Sequence, residues 1–414
     1  MSAFFDKYLD YVGNNEVPAT YHRWAAISIV GTLLGRNVHI PFGPKDLYPN
    51  QYVLLTGGPG ARKGTAIEYA QRLLASTGYK YFAPDRNAKE AMWRFMAEQS
   101  DTLSGTDTLE ELILEPEYSQ LFICKDEFVD FTGIGNDELL ANLANLWNNL
   151  PTFHNPKERA KDIVINKPTI NLLGGITPGG IDKYFSGMAD EGGFFSRVIF
   201  VFGSSDGKRV TWPSDIDTTV AEELKLDLLN IKELQGPLIM DASCRELLEL
   251  IYTTAPKSMD RRLLYYDTRR FTHLLKLCII LAAMDNTRYL QTGHIILANT
   301  ILYSTELTMP QALGEYGKAR NSDVTNHVLD IIKNADVPVP TRSIWKAVST
   351  DLERYSQLID ILQGLTQSDK IQLVQLPNDT GNGYLPKHVV DNQWKDGLVD
   401  FSLLTHDERV YHIP

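Results

Sequence analysis

The chain has 414 residues, 43% of them hydrophobic and 22% charged, values that suit two to three globular domains with sizeable buried cores. A formal net charge of -12 excludes a protein that coats nucleic acid broadly, because neutralisation of phosphates by Lys and Arg dominates such binding; only a small basic patch is left for that role. No run approaches the roughly 18 apolar residues of a membrane span, and the opening "MSAFFDKYLDYVG" has early acidic residues and no basic n-region, so no signal peptide, no membrane partner and a cytoplasmic location are expected. Cys124, Cys244 and Cys278 lie far apart without a C-x-x-C or Cys/His cluster, which points to neither a disulfide framework nor a zinc site.

In chain order, "PATYHRWAAISIVGTLLGR" spaces its apolar residues as a helix that Gly35 stops, and "NVHIPFG" alternates as a short strand or hairpin. "YPNQYVLLTGG" predicts a buried strand over Gln51 to Thr56 entering a glycine turn, and "TAIEYAQRLLAS" the helix after it. Further strands are predicted in "SQLFICKDEF", "KPTINLLGGITPGG" and "FFSRVIFVFG", with helices in "AKEAMWRFMAEQ" and "DELLANLANLWNN" between them. Strands alternating with helices predict a largely parallel α/β sheet covered on both faces. From about 215 to 320 the pattern is helical throughout and predicts a bundle. From about 321, three short helices precede two strands around an Asn/Gly-rich turn, the outline of a winged helix.

The stretch "GGPGARKGT" sits between a strand and a helix, where a phosphate-binding loop belongs. Gly57, Gly58 and Gly60 give the backbone freedom to approach phosphates, the helix start offers N–H groups, and Lys63 offers charge. Pro59, Ala61, Arg62, Gly64 and Thr65 complete the loop. Against the P-loop pattern G-x-x-x-x-G-K-S/T, counted from Gly57, Arg62 replaces the second glycine and Gly64 the Ser or Thr. "LFICKDE" places Asp126 at the emerging end of a buried strand, suited to Mg²⁺, and Glu127 beside it, suited to orienting or deprotonating water. Together the two motifs predict ATP and Mg²⁺ as ligands. Thr177, at the end of a third strand, suits contact with the same water, or else caps the helix after Pro178. Arg197 opens a fourth strand; it suits a γ-phosphate on a neighbouring subunit, or else a surface salt bridge.

Strand, P-loop, Asp-Glu strand, polar-ended strand and arginine-led strand in this order resemble the AAA+ ATPases over roughly residues 45 to 203. "LYPNQYVLLTGGPGARKGTAIEYA" is similar to the core of phage and prophage replicative helicases of the primase-helicase type, in which an arginine before the P-loop lysine is usual; "EVPATYHRWAAISIVGTLLGR" and "TRRFTHLLKLCIILAAMD" are similar to that group's flanking segments. "FSRVIFVF" resembles the arginine-finger stretch of the minichromosome-maintenance helicases. The resemblance implies an α/β P-loop NTPase, with residues 1–44 as an N-terminal helical segment and hairpin, 45–214 as the ATPase core, 215–320 as a helical lid and 321–414 as a winged-helix-like domain.

It further implies a DNA-stimulated ATPase in a bacterial host cell, assembled as a homo-oligomeric, hexameric ring. A hairpin before the Thr177 strand would reach the pore, with Lys157, Arg159 and Lys161 on the backbone of single-stranded DNA; the other reading of these three is a solvated charged turn, diluted by Glu158 and Asp162. Gly64 departs from the group and puts direct hydroxyl coordination of Mg²⁺ in question. Thr65 supplies the next hydroxyl, displaced by about 100° around the helix, so the metal falls more to Asp126 and water. Arg269, Arg270 and Lys276 stand where a lid would offer a second phosphate sensor, or else are helix-surface charges. The alternative function is an ATP-dependent loader or remodeller with a protein partner, or an initiator that binds DNA without unwinding it; other replication proteins would dock on the C-terminal domain. No primase signature is present.

Overall fold

In the computed structural model, which describes residues 3–84, 89–103, 118–133, 135–155, 162–185, 193–203, 209–258, 260–314, 322–333, 335, 337–352, 354–367, 371–376, 382–386 and 394–409, the four long apolar runs form one parallel sheet. Two helices come first, α1 (Ala3–Val12) and α2 (Ala19–Leu34). Every residue of α2 from Tyr21 onward is buried, as expected of a helix apolar on all sides. Gly35, at a φ of 52°, ends it. The strands β1 (Val38–Phe42) and β2 (Lys45–Leu47) pair antiparallel, so of the short strand or hairpin expected here the hairpin forms.

β3 (Tyr52–Thr56) is buried throughout and leads through the glycine loop into α3 (Lys63–Ser76). α4 (Lys89–Leu103), β4 (Gln120–Lys125), α5 (Phe128–Thr132) and α6 (Asp137–Leu146) follow. β5 (Thr152–Asn155) and β6 (Ile163–Asn166) make an antiparallel hairpin immediately before β7 (Thr169–Ile176), which is succeeded by α7 (Pro178–Phe185) and β8 (Val198–Phe202). The sheet order is β4-β7-β3-β8, all parallel. A Cβ on Gly174 would meet Phe128 at the start of α5, and one on Gly175 would meet Lys63 at the start of α3. Successive strand residues point to opposite faces, so helices cover both sides of the sheet. This is an α/β fold.

Beyond the sheet come α8 (Thr218–Lys232), the two-residue β9 (Gly236–Pro237), α9 (Ala242–Thr254), α10 (Leu264–Asp267), α11 (Arg270–Met284) and α12 (Thr292–Leu313). α11 is buried without a break from His273 to Met284. No described helix is long and apolar enough to cross a membrane.

Tertiary contacts divide the chain into two units, Met1–Tyr316 with Trp394–Pro414, and Gly317–Gln393. The helices after β8 therefore share a unit and a core with the sheet. The second unit has its own core around Val328, Ile332, Ile344, Leu358, Leu362 and Ile371. It contains α13 (Ser322–Lys333), β10 (Val339–Pro340), α14 (Thr341–Val348), α15 (Tyr355–Gln367), β11 (Ile371–Gln375) and β12 (Asn382–Pro386), the strands forming an antiparallel sheet in the order β10-β12-β11.

Residues 394–409, grouped by the sequence reading with the C-terminal domain, pack into the first unit. Asn299 Nδ2 donates to the Leu398 carbonyl at 2.7 Å, and the Asp400 N–H donates to Thr300 Oγ1 at 3.0 Å. In α16 (His406–Arg409), Glu408 accepts two bonds from Arg23, at 2.5 and 2.6 Å, with both side chains only 4% exposed. Burial alone would raise the Glu408 pKa, but Arg23 and the Thr405 bonds outweigh it and hold the carboxyl below its ordinary value. The pair's stabilisation is thus present above the ordinary glutamate range and lost as pH falls through that lowered value. Removing one partner leaves an uncompensated buried charge. Arg23→Met is expected to cost about 3–5 kcal/mol, read as a lowered midpoint in thermal or urea denaturation at neutral pH.

Candidate functional site

The register of the sheet decides which loops meet. Thr56 pairs with Ile176 on one side and Phe202 on the other, and Lys125 pairs with Gly174. The residues that follow, Gly57, Thr177 and the Asp126–Glu127 pair, therefore emerge side by side at the carboxyl ends of the strands, where open α/β sheets bind ligands.

The glycine loop is braced from behind. Tyr21 Oη donates to the Thr56 carbonyl at 2.5 Å and lies 3.0 Å from the Gly203 carbonyl, and a Cβ on Gly57 would come within 2.6 Å of that hydroxyl. Farther along, Gly60 has a φ of 82° and Arg62 a φ of 60°. Arg62 is the N-cap of α3, yet no side chain caps the helix, so its first N–H groups face the mouth of the loop. A left-handed arginine costs about 1 kcal/mol that a glycine would not. What it gains is a contact: its guanidinium donates to Glu16 Oε2 from Nη2 at 2.5 Å and from Nε at 3.1 Å. Lys63 folds back over the loop, its amine donating to the carbonyls of Gly57 at 2.9 Å and Gly58 at 3.2 Å. Partial burial lowers its pKa, and the nearby Glu127 carboxylate opposes that shift.

Asp126 is exposed and Glu127 half-buried. A Cβ on Gly175 would run into the Asp126 carbonyl, so glycine there lets β4 and α3 close on each other. Position 64 has the same character: a Cβ would lie 3.3 Å from the Asp126 Cβ and 3.7 Å from its Oδ2. The missing Ser/Thr side chain is thus what allows the Asp126 carboxylate to stand against the first turn of α3. Glu127 precedes α5 without capping it, and its carboxylate has no hydrogen bond or ion pair among the described residues. Burial and the neighbouring Asp130 push its pKa up, against the pull of Lys63. Thr177 follows Ile176, which pairs with Thr56, and so lies level with Gly57; its hydroxyl accepts from the Gly180 N–H at 3.1 Å and caps α7. Thr65 is half-buried in the first turn of α3.

Arg197 stands elsewhere. It precedes Val198, which pairs with Tyr52, and therefore lies at the amino ends of the strands, a five-residue strand or roughly 17 Å from the glycine loop. It donates to the Gly193 carbonyl and lies over the Trp147 ring at 6.0 Å. Arg269 and Lys276 face the same indole, at 5.7 and 4.1 Å. Lys276 is fully buried, its amine held by the carbonyl and side chain of Asn50. No carboxylate pairs with these three cations among the described residues. Burial, with Arg269 beside it, lowers the Arg197 pKa to about 10. Arg270 is committed instead to Glu306 at 2.8 Å. None of the three lid candidates thus lies at the glycine loop of its own chain. Lys157, Arg159 and Lys161 fall outside the described residues; the β5–β6 hairpin that flanks them is described.

Three contributors had no signal in the sequence: Glu16, Trp147 and Arg36. The Arg36 guanidinium donates to the carbonyls of Leu150 and Pro168, both at 2.9 Å, and to Thr169 Oγ1 at 2.8 Å, which ties the base of the β5–β6 hairpin to the end of α2. Each of the three acts through partners 46 or more positions away in sequence. A comparison with protein-family models and with curated proteins finds no match to this chain.

Proposed function

We propose that this protein is an ATP-driven, ring-forming DNA helicase or translocase of the AAA+-like P-loop class, working on single-stranded DNA in phage-type replication. The observation that carries the reading is the convergence at one sheet edge of an uncapped helix start, the Lys63 amine and the Asp126–Glu127 pair. This donor set fits ATP with Mg²⁺. Bare N–H groups and one lysine suit phosphates, and a single carboxylate with phosphate oxygens and water suits Mg²⁺, which keeps several waters. Bound there, Mg²⁺–ATP supplies the phosphoryl group that passes to water.

In this reading the loop from Gly57 to Thr65 holds the phosphates and Lys63 neutralises the terminal ones. Asp126 would hold the metal, with phosphate oxygens and water completing the shell and the Thr65 hydroxyl, displaced around the helix, secondary to them. Glu127 takes the proton of the attacking water, and Thr177 orients that water. Arg197 serves the adjoining subunit's site, because it lies a strand's length from its own. Gly64→Ser tests the metal arrangement. Asp126 is exposed and free to yield the few tenths of an ångström a Cβ needs, so hydrolysis is expected to stay within about threefold while half-maximal rate is reached at lower Mg²⁺. A collapse in rate at all Mg²⁺ concentrations would show that the close Asp126 approach is indispensable.

Movement would enter through the hairpin. β6 runs into β7 across only Lys167 and Pro168, and β7 ends at Thr177, so the site and the hairpin share one stiff strand. Lysine and arginine in the sequence between β5 and β6 suit backbone contact without sequence reading. The test is strand displacement on a forked duplex, with ATPase rates taken with and without single-stranded DNA. Wild type is expected to unwind and to be stimulated, and Lys157→Ala/Arg159→Ala to lose both while keeping basal hydrolysis. Unstimulated hydrolysis without unwinding would favour the alternative, an ATP-dependent loader, remodeller or non-unwinding initiator. That alternative draws on α15, which in the proposed winged helix would be the reading helix and carries no Lys or Arg.

A further inference from the structure

We infer that Trp212 forms a base-stacking subsite of the same nucleotide site, an inference that rests on the ATP reading above. Of the six tryptophans, Trp24, Trp93 and Trp147 are buried, Trp345 and Trp394 are half-buried, and Trp212 is 87% exposed. An indole left this bare is unusual for a residue type that is highly buried on average, and it leaves a full π-face open to a ligand.

Its backbone, in contrast, is fixed. Two residues before it, the Val210 N–H donates to Glu16 Oε1 at 3.0 Å; two residues after it, the Ser214 N–H donates to the Asn14 carbonyl at 3.2 Å. Pro213 follows directly and restricts Trp212 to extended conformations. The turn that receives these bonds is itself rigid. Asn15 is buried, bonds the carbonyls of Val12 and Gly13, and accepts from the Val17 N–H.

Glu16 connects this platform to the phosphates. One carboxylate oxygen holds Val210 and the other holds Arg62, the residue before Lys63. The strained conformation of Arg62 thus serves to lock the Trp212 segment onto the glycine loop. The Val210 bond and Arg62 together hold the Glu16 carboxyl below its ordinary value, so the clasp is charged at neutral pH. The segment clasped to Arg62 carries one exposed aromatic, Trp212, and we assign it to the base of a nucleotide whose phosphates occupy the loop. Stacking needs only a π-face, so the subsite accepts any nucleobase.

The experiment compares ATP with tripolyphosphate, which carries the phosphates and lacks the base, as ligands of wild type, Trp212→Ala and Trp212→Phe. Because Trp212 is exposed, neither substitution threatens folding. ATP affinity is expected to fall roughly tenfold in Trp212→Ala and to be largely retained in Trp212→Phe, with tripolyphosphate affinity equal in all three. ATP, and not tripolyphosphate, is expected to quench the wild-type tryptophan emission that acrylamide reaches. Equal ATP affinity in Trp212→Ala and wild type would overturn the subsite, as would quenching by a single-stranded oligonucleotide or by subunit association without ATP. If wild type binds neither ligand, the nucleotide reading itself fails, and the subsite with it.

Discussion

Glu127→Gln is expected to reduce ATP hydrolysis about a thousandfold while nucleotide binding stays intact. The carboxylate stands beside Lys63 and Asp126 without a hydrogen-bond partner among the described residues, so nothing else employs it. A glutamine keeps the shape and loses the ability to accept a proton. The same environment sets the pH dependence. Burial first, then Asp130, raise the Glu127 pKa above 4.5, and the active form is the ionised one. Hydrolysis should therefore fall on acidification through that raised value, with an acid limb above the ordinary glutamate range. For stability the sign is reversed: a raised carboxylate pKa disfavours the folded state once the group is ionised, so Glu127→Gln should unfold no earlier than wild type at neutral pH. Rates of phosphate release and binding of a fluorescent nucleotide separate the two effects. Unchanged hydrolysis in the variant would remove Glu127 from the chemistry.

The second large effect belongs to Arg197, whose replacement by alanine is expected to lower the hydrolysis rate at least a thousandfold with little loss of ATP affinity. Val198 pairs with Tyr52 and Thr56 pairs with Phe202, so Arg197 and the glycine loop sit at opposite ends of parallel strands. In the proposed ring, an arginine there would reach phosphate only across a subunit boundary. Arg197 is buried, and burial first and Arg269 second lower its pKa; with Lys276 on the same indole the charge there is in positive excess, which favours an anion. Mixing identifies the geometry. Arg197→Ala and Lys63→Ala are each inactive alone, and a mixed ring regains activity wherever an intact Lys63 faces an intact Arg197. Recovery of about a quarter of the wild-type rate, the random fraction of such boundaries, supports the trans arrangement. No recovery, with mixed rings shown to form, contradicts it.

The parts of this fold that were legible in the sequence are those fixed by local pattern. Four apolar runs bounded by glycine or polar residues became the four parallel strands, because strands buried on both faces read as continuous apolar stretches. "LVQLPNDTGNGYLP" was legible as a hairpin from its turn and "NVHIPFG" as a short strand or hairpin from its alternation, whereas β10, two residues long, carries too little pattern to be read. Strand order was not legible: β7 lies between β3 and β4, which depends on how helices pack rather than on either segment. Nor were contacts between distant residues. Arg23 and Glu408 are 385 positions apart, and nothing local to "THDERV" shows that it belongs beside α2.

The candidate site divides the same way. Lys63, Asp126 and Glu127 were legible because each closes a buried strand or opens a helix, and register then brings them together. The role of Gly64 was legible only as a departure; the structure gives it a physical content, the room that Asp126 occupies. Of the two readings of Thr177, the helix cap is the one its hydroxyl makes, to the Gly180 N–H. Arg62 was recognisable as a mark of the loop, but its partner Glu16 lies 46 residues upstream in a turn with no pattern of its own.

The central claim is that the glycine loop and the Asp126–Glu127 pair hydrolyse ATP to drive movement on DNA. Its most direct test is the rate of phosphate release from Mg²⁺–ATP by the purified full chain, with and without single-stranded DNA. Hydrolysis that requires Mg²⁺ and rises at least severalfold with DNA is the result this account predicts. A chain that releases no phosphate under either condition, or that releases it at a rate DNA leaves unchanged, contradicts it.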